Sequence, residues 1–228
     1  MPSTRDQRPY NVAYYASHRE QEIERVTRRQ QAALDWLREL RRVPCMDCGG
    51  RFAPWVMDFD HRDPTDKLFD LGAGKSSVML KNRAVLEAEV AKCDIVCANC
   101  HRMRTHRAFM RGELRSPSFR RRRPSSNPLT QRDREKVFRR RREHAALLRA
   151  FKRSACMDCG LSFPWFVMEF DHRDGSAKRG LVSQMPGRVG LMTLLLEIEK
   201  CDIVCANCHR IRTYERRTKV ARTRAGVA

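Results

Sequence analysis

One segment of this chain, KCDIVCANCHR, occurs twice without a difference, at residues 92–102 and 200–210. A second match lies upstream, where CMDCG at 45–49 returns at 156–160. The two matches have offsets of 108 and 111 residues, so the second copy is three residues shorter between them. An internal duplication of this kind builds the same local structure twice, and we therefore predict two related units.

Each copy contains two C-x-x-C pairs, a spacing typical of metal ligands or redox cysteines in intracellular proteins. Four thiolates match the closed tetrahedral coordination of structural zinc, which stabilises domains too small to depend on a hydrophobic core. We therefore predict two structural Zn²⁺ ions and a reducing, cytoplasmic location. The predicted ligands are Cys45, Cys48, Cys97 and Cys100 in the first copy, and Cys156, Cys159, Cys205 and Cys208 in the second.

Two further cysteines, Cys93 and Cys201, fall outside these sets. We interpret them as buried, unreactive thiols, with a redox role as the alternative.

The charge of the chain indicates a polyanionic partner. Its 47 Lys and Arg against 27 Asp and Glu give a formal net charge of +20. Neutralising phosphates with such side chains releases condensed counterions, so nucleic acid is the first candidate and an anionic membrane surface the second. No apolar run approaches the roughly 18 residues of a spanning helix. We predict binding to nucleic acid and no insertion into a membrane.

A basic segment precedes each copy, at 12–44 and 131–155, and apolar residues recur in it near helical spacing. We predict an amphipathic helix in each segment, whose charged face is either solvated or in contact with phosphates. Residues 107–130 contain seven arginines with several prolines and serines, which is typical of a partly disordered linker. Residues 215–228 form a basic tail.

The stretch between the two halves of each cysteine frame contains FDHRD, at 59–63 and 170–174. The aromatic and β-branched content of residues 51–61 predicts strands that end at this Asp-His pair. Residues 84–93 have the composition of a helix, and a last helix is predicted to begin near the second cysteine pair. His101 follows Cys100 directly and would lie at the start of that helix.

The combination of CMDCG, DFDHRD and CANCHRMRT resembles the HNH nuclease family, whose ββα-metal core is set in a treble-clef zinc frame. The resemblance covers 45–106 and 156–214. In that family the histidine of the Asp-His pair is the general base, while its acidic neighbour and the closing histidine hold a catalytic divalent ion. The resemblance thus implies His61 and His172 as bases, and Asp60, His101, Asp171 and His209 as ligands of Mg²⁺, Mn²⁺ or a similar ion.

These roles agree with the chemistry of phosphodiester hydrolysis. Histidine titrates near neutrality, and a cation neutralises charge on the scissile phosphate and the leaving oxygen. The family's asparagine before the second C-x-x-C is absent. Asn99 and Asn207 lie inside that motif instead, where they orient the base, bind metal or cap the helix. The candidate phosphate contacts are Arg62, Arg102, Arg104, Arg173, Arg210 and Arg212.

The sequence therefore predicts an α+β protein of two zinc-stabilised ββα-metal units, each preceded by a basic amphipathic helix. The resemblance implies the activity of a metal-dependent DNA endonuclease, an HNH-type phosphodiester hydrolase, with double-stranded DNA as its partner. Two sites in one chain suggest that each unit cuts one strand, without dimerisation. The alternative is a non-catalytic zinc protein that binds nucleic acid. The motifs specify neither a guide nor a protein partner.

Overall fold

The computed structural model describes residues 8–72, 76–113 and 131–224. The chain divides into two compact units, Met1–Val96 and Cys97–Ala228. Within the predicted linker, residues 114–130 lie outside the described residues, as do residues 225–228 of the predicted tail.

Over residues 8–72 and 76–96, the first unit combines three helices with a two-stranded sheet of order β1-β2, and the unit boundary falls just before the last residue of β2. The elements in chain order are α1 (Arg8–Leu40), β1 (Met57–His61), α2 (Ser76–Met79), α3 (Arg83–Val90) and β2 (Cys93–Cys97).

Helix α1 covers residues 12–40 of the basic segment predicted at 12–44, ends four residues before that segment does, and is interrupted by non-helical backbone angles at His18. Leu37 points into the core and is only 1% exposed, which sets the buried face of the helix. Leu71, Leu86 and Cys93 are buried in the same cluster, so α1 covers the loop after β1, helix α3 and the start of β2. Removing this apolar surface from water stabilises the first unit.

In the part of the second unit that the structure describes, there are four helices, a short 3₁₀ turn and a two-stranded sheet. Its elements are α4 (Ala98–Met110), α5 (Gln131–Phe151), β3 (Met168–His172), the 3₁₀ turn (Val182–Gln184), α6 (Leu191–Glu199), β4 (Cys201–Cys205) and α7 (Ala206–Arg224).

Strands β3 and β4 are antiparallel, with Met168 opposite Cys205 and His172 opposite Cys201. One apolar cluster of this unit joins α5, α6 and the 3₁₀ turn, and Leu194 is fully buried in it. A second cluster surrounds the cysteines and includes Val167. The sheet thus lies between two small cores, and its His172 end adjoins the first of them.

The observed elements confirm an α+β protein with a helix ahead of each cysteine frame. The strand predicted over 51–61 forms only from Met57 onward. The prediction that residues 84–93 are helical was wrong at its end, because α3 stops at Val90 and Cys93–Cys97 is a strand. β-branched Ile95 and Val96 suit that strand. It ends at Cys97, the first cysteine of the second C-x-x-C, just as β4 ends at Cys205 in the second copy.

Candidate functional site

The structure brings together both predicted groups of four cysteines. Within each group the sulfur atoms all lie within 4.8 Å of one another. Zinc bound by four thiolates at about 2.3 Å places the sulfurs roughly 3.8 Å apart, so small adjustments complete the tetrahedron. Each group can therefore hold a structural metal ion such as zinc. The groups are Cys45, Cys48, Cys97 and Cys100, and Cys156, Cys159, Cys205 and Cys208.

The first C-x-x-C of each group is held by a tight turn that needs glycine. Gly49 has a φ of 68° and Gly160 a φ of 70°, in the left-handed region that side chains disfavour. In the second copy the N–H of Gly160 donates to the carbonyl of Cys156 over 2.9 Å. The turn points both cysteine sulfurs of the pair toward one side.

Hydrogen bonds in the second group favour the thiolate that zinc requires. The backbone N–H of Cys205 donates to the sulfur of Cys156 over 3.2 Å. Burial acts to raise the pKa of Cys156, but backbone N–H donors from Cys159, Cys205 and Asp158 outweigh it and lower the pKa to about 7. The thiol is thus prepared for deprotonation at neutral pH.

Each histidine predicted as a base is paired with a buried glutamate. His61 Nε2 lies 2.8 Å from Glu89 Oε1, and His172 Nε2 lies 2.8 Å from Glu197 Oε1. The four side chains are at most 7% exposed. A proton on Nε2 that is donated to the carboxylate leaves Nδ1 unprotonated, so the pair selects the tautomer that a general base needs.

The glutamates are held as carboxylates by donors from several directions. Glu89 accepts from Lys92 Nζ over 2.9 Å and from the N–H of Leu68 over 2.8 Å, and Glu197 accepts from Lys200 Nζ over 2.8 Å. Burial acts to raise the pKa of each glutamate, but hydrogen bonds from the lysine, the histidine and the backbone prevail and lower it to about 2.

Sequence reasoning missed Glu89 and Glu197. A signal was available, because both copies contain a glutamate four residues before the first cysteine of CDIVC. The segment that joins them is EVAKC in the first copy and EIEKC in the second. The segment was interpreted only as part of a helix. The glutamate lies 28 residues from His61 in the first copy and 25 residues from His172 in the second, so spacing along the chain does not connect the two side chains.

In the second copy, the two predicted metal ligands are neighbours. Asp171 Oδ1 and His209 Nε2 lie 3.4 Å apart. Two ligands of one Mg²⁺ ion, each about 2.1 Å from it, can adopt this separation, so the donors fit a divalent ion. Asp171 also accepts hydrogen bonds from Arg212 and Arg216. Burial acts to raise the pKa of Asp171, but hydrogen bonds from His209 and the two arginines hold it far below its usual range.

These groups line a pocket of about 350 Å³ whose walls are rich in cations. Glu169 contacts His209 Nδ1 at 2.5 Å and forms an ion pair with Arg102. Lys152 lies 5.3 Å from the centre of the Phe170 ring, and burial, with Arg102 nearby, lowers its pKa to about 8. The pocket therefore combines acidic groups and imidazoles at its base with positive charge around them.

Corresponding residues of the first copy occupy matching elements. Asp60 and His61 end β1, as Asp171 and His172 end β3. His101 lies in α4.

Asn99 and Asn207 act on helix ends. The N–H of Asn99 donates to Asn207 Oδ1 over 2.9 Å, and the N–H of Asn207 donates to Asn99 Oδ1 over 3.0 Å. Both residues lie in the first turn of their helices, where backbone N–H groups lack helical partners. Of the three predicted roles, the structure displays a capping interaction, made to the other copy's helix.

Several candidate phosphate contacts also brace the fold. Arg62 donates to the carbonyl of Cys93 over 3.0 Å, and Arg173 donates to that of Cys201 over 3.2 Å. Each guanidinium also donates to a carbonyl at the C-terminal end of a helix. Arg62 donates to Ala91, which follows α3 directly, and Arg173 donates to Glu199, the last residue of α6. Arg102 pairs with Glu169, and Arg212 contacts three carboxylates. Arg104 and Arg210 lie on α4 and α7. Their contacts with nucleic acid stay predictions.

The two cysteines outside the groups of four are buried. Cys93 donates through its sulfur to the carbonyl of Glu89 over 3.4 Å, and Cys201 to that of Glu197 over 3.3 Å. Burial, and then the negative charge of the nearby glutamate, raises the pKa of each thiol to about 11.

Comparison of the chain with known protein families, curated proteins and solved structures finds no match. Among the residues that the structure describes, no helix is long and apolar enough to cross a membrane.

Proposed function

We propose that this protein is a metal-dependent DNA endonuclease that hydrolyses phosphodiester bonds at two HNH-like sites. The observation that carries the proposal is the pair formed by a buried glutamate and the histidine of the Asp-His element, repeated at 2.8 Å in both copies. A structural zinc module has no need for an imidazole whose tautomer is selected by a carboxylate. General-base chemistry does need it.

The proposed role of each histidine follows from its surroundings. His172 ends β3 and lines the pocket beside Asp171 and His209. Its Nε2 is held by Glu197, so Nδ1 is the atom that would take a proton from water. The developing imidazolium would be stabilised by the carboxylate behind it. By the repeat, His61 and Glu89 would act in the same way.

The proposed substrate site is cationic. Arg102 and Lys152 line the pocket and would contact the phosphates on either side of the scissile bond. A divalent ion held by Asp171 and His209 would supply charge for the scissile phosphate and the leaving oxygen. The formal charge of +20 favours DNA over a neutral substrate.

The proposal is tested by cleavage of supercoiled plasmid with Mg²⁺ or Mn²⁺ and with EDTA, the zinc content being measured in every sample. The variants His61→Ala and His172→Ala are each expected to nick the plasmid without linearising it, and the double variant to leave it intact. His18→Ala, in α1 and outside both sheets, is the matched control. Full linearisation by the double variant would refute the assignment of the bases.

A second candidate function is nucleic-acid binding without cleavage, which one observation favours. Asp171 is already neutralised by Arg212 and Arg216, as in a structural ion-pair network. A non-catalytic protein would retain DNA affinity, with a steep dependence on salt, and leave plasmid intact in every divalent metal. Such a result would support nucleic-acid binding without cleavage as the function of this protein.

A further inference from the structure

The outer face of α5 carries a stripe of cations. Between Gln131 and Phe151 the helix has eight Lys and Arg against three Asp and Glu, a net charge of +5 with histidine neutral. Five of these cations are exposed and border one open depression on the surface. Leu148, which is 8% exposed, marks the core side of the helix. The five cations are Arg132, Lys136, Arg139, Arg142 and Arg149.

The stripe is continuous with the pocket of the candidate site. At a rise of about 1.5 Å per residue, it extends over roughly 26 Å from Arg132 to Arg149. Arg149 Cζ lies 4.6 Å from the centre of the Trp165 ring, and this stacking orients the guanidinium at the end of the stripe. Lys152 follows three residues later, where its N–H donates to the carbonyl of Leu148 over 3.1 Å, and it lines the pocket. A polyanion that lies along α5 therefore leads into the candidate site.

The matching helix of the first copy neutralises its own charge. Helix α1 has six Arg against five Asp and Glu, a net charge of +1. Three of its arginines correspond to Lys136, Arg139 and Arg149 at the offset of 111 residues, and each pairs with an acid one turn away. The pairs are Arg25 with Glu22 at 2.6 Å, Arg28 with Glu24 at 2.7 Å and Arg38 with Asp35 at 2.5 Å.

Helix α5 cannot neutralise itself in this way. With three acids on the helix, at most three of its eight cations can find a partner within it. The counterpart of Asp35 is Ala146, which carries no charge. On the stripe, Arg139 Nε lies 3.9 Å from Glu143 Oε1, and both side chains are mostly exposed. Exposed pairs of this kind contribute little, so most of the positive charge of the helix is directed outward.

We propose that the outer face of α5 is a docking surface for duplex DNA, which binds the phosphate backbone and guides it into the pocket of the second unit. The inference rests on the proposed function, because it takes DNA as the partner. It adds a site of affinity that lies outside the catalytic groups and that α1 does not share.

The physical reason is the charge density of the duplex. DNA carries one negative charge per roughly 1.7 Å of its axis, so a length of about 26 Å presents about fifteen phosphates. Four of the five cations on the stripe are arginines, whose planar forks match phosphate oxygens. Each phosphate contact releases condensed counterions and contributes about 0.9 to the slope of log Kd against log salt concentration.

The test measures DNA affinity without cleavage. The Kd for a fluorescently labelled DNA duplex is measured by anisotropy at several salt concentrations, with zinc-loaded protein and no added Mg²⁺ or Mn²⁺. The variant Lys136→Gln/Arg139→Gln/Arg149→Gln is expected to lower the slope by about 2.7 and to raise Kd roughly a hundredfold or more at about 0.1 M salt. The variant Lys136→Arg/Arg139→Lys/Arg149→Lys keeps the charges and should stay close to the wild-type slope.

Arg25→Gln/Arg28→Gln/Arg38→Gln is the matched control, because it removes the same charge from the corresponding positions of α1, where each arginine is already paired. Its slope should change by less than about one. Circular dichroism and zinc content show that each variant is folded. The single variant Lys136→Gln, expected to lower the slope by about 0.9, repeats the test with a minimal change.

Three results would each overturn the inference. The first is an equal slope for the triple glutamine variants of α5 and α1. The second is a wild-type protein that does not bind the DNA duplex. The third is tighter binding of an RNA duplex of the same sequence, which would replace DNA as the occupant of this surface.

Failure of the proposed function has a different signature. A lower slope in the α5 variant, in a protein that never cuts plasmid, would sustain the docking surface and refute the nuclease. Cleavage of plasmid, with equal slopes for the α5 and α1 variants, would sustain the nuclease and refute the docking surface.

Discussion

Asn99 and Asn207 cap each other's helices: each residue's backbone N–H donates to the other's side-chain oxygen, over 2.9 and 3.0 Å. The two residues are 7% and 6% exposed, so water cannot replace either bond readily. The exchange relates equivalent residues of the two copies, 108 positions apart. It ties the first turn of α4 to the first turn of α7, where Cys100 and Cys208 also lie.

Replacing either asparagine is expected to destabilise the protein. Asn99→Ala removes the acceptor for the N–H of Asn207 and leaves a buried donor unpaired, at a cost of about 1 to 2 kcal/mol. Asn99→Asp retains an acceptor oxygen and should stay closer to the wild type. Urea unfolding of the zinc-loaded proteins measures the difference. Equal unfolding midpoints for the alanine variant and the wild type would show that the caps contribute nothing.

Zinc content should follow the cysteine groups. We expect two zinc ions per chain, and one in each of the variants Cys45→Ser and Cys156→Ser, because a site that loses one thiolate binds zinc far less tightly. Cys93→Ser is the control within the same chain and should keep both ions, since Cys93 is outside the groups. Elemental analysis after gel filtration provides the measurement. Unchanged zinc in both ligand variants would exclude these sites.

Cys93 and Cys201 should resist alkylation in the folded protein. With a pKa of about 11, each thiol is ionised at pH 7.5 to roughly one part in several thousand, and both are 9% exposed. Iodoacetamide followed by peptide mass spectrometry should leave them unlabelled until the protein is unfolded and its zinc is chelated. Rapid labelling of the native protein would revive the redox alternative.

The buried glutamates should make stability depend on pH in the acidic range. The pKa of Glu89 and Glu197 is about 2 in the folded protein and 4.5 ordinarily, so their contribution is complete above 4.5 and is lost as pH falls toward 2. Between pH 6 and pH 4 each glutamate should account for a loss of about 1 kcal/mol in the free energy of unfolding.

Urea unfolding is measured at each pH for the wild type and for the double variant Glu89→Gln/Glu197→Gln. Any loss of zinc at low pH affects both proteins, so the difference between their pH profiles isolates the contribution of the glutamates. Glu87→Gln, at an exposed position of α3 paired with Arg83, is the control. Parallel pH profiles for the wild type and the double variant would contradict the pKa assignment.

The same glutamates should support cleavage if the proposed function holds. Glu197→Gln removes the carboxylate that positions His172 and stabilises its protonated form, and the second strand cut should slow by about a hundredfold. DNA affinity should be unchanged, because Glu197 is fully buried. Strand-specific cleavage of an end-labelled duplex measures the rate. Cutting at the wild-type rate would mean that the glutamate is only structural.

The elements that were predictable are those with local causes. Both cysteine groups follow from C-x-x-C spacing within a tight glycine turn, and the helices follow from composition and apolar periodicity. The β2 strand was missed because CDIVC is short and directly follows a helical pattern, so only its pairing in a sheet distinguishes it. The placement of the first Asp-His pair at the end of a strand was predicted from the aromatic and β-branched content of residues 51–61.

The duplication, the two groups of four cysteines and the position of the Asp-His pairs were therefore accessible from the order of residues alone, because each is encoded by neighbours along the chain. The glutamate behind each histidine, the exchanged caps of Asn99 and Asn207, and the hold of Arg216 on Asp171 were not. These contacts join side chains 25 to 108 residues apart. Only the packing of helices on the small sheets determines which of the many charged side chains become partners.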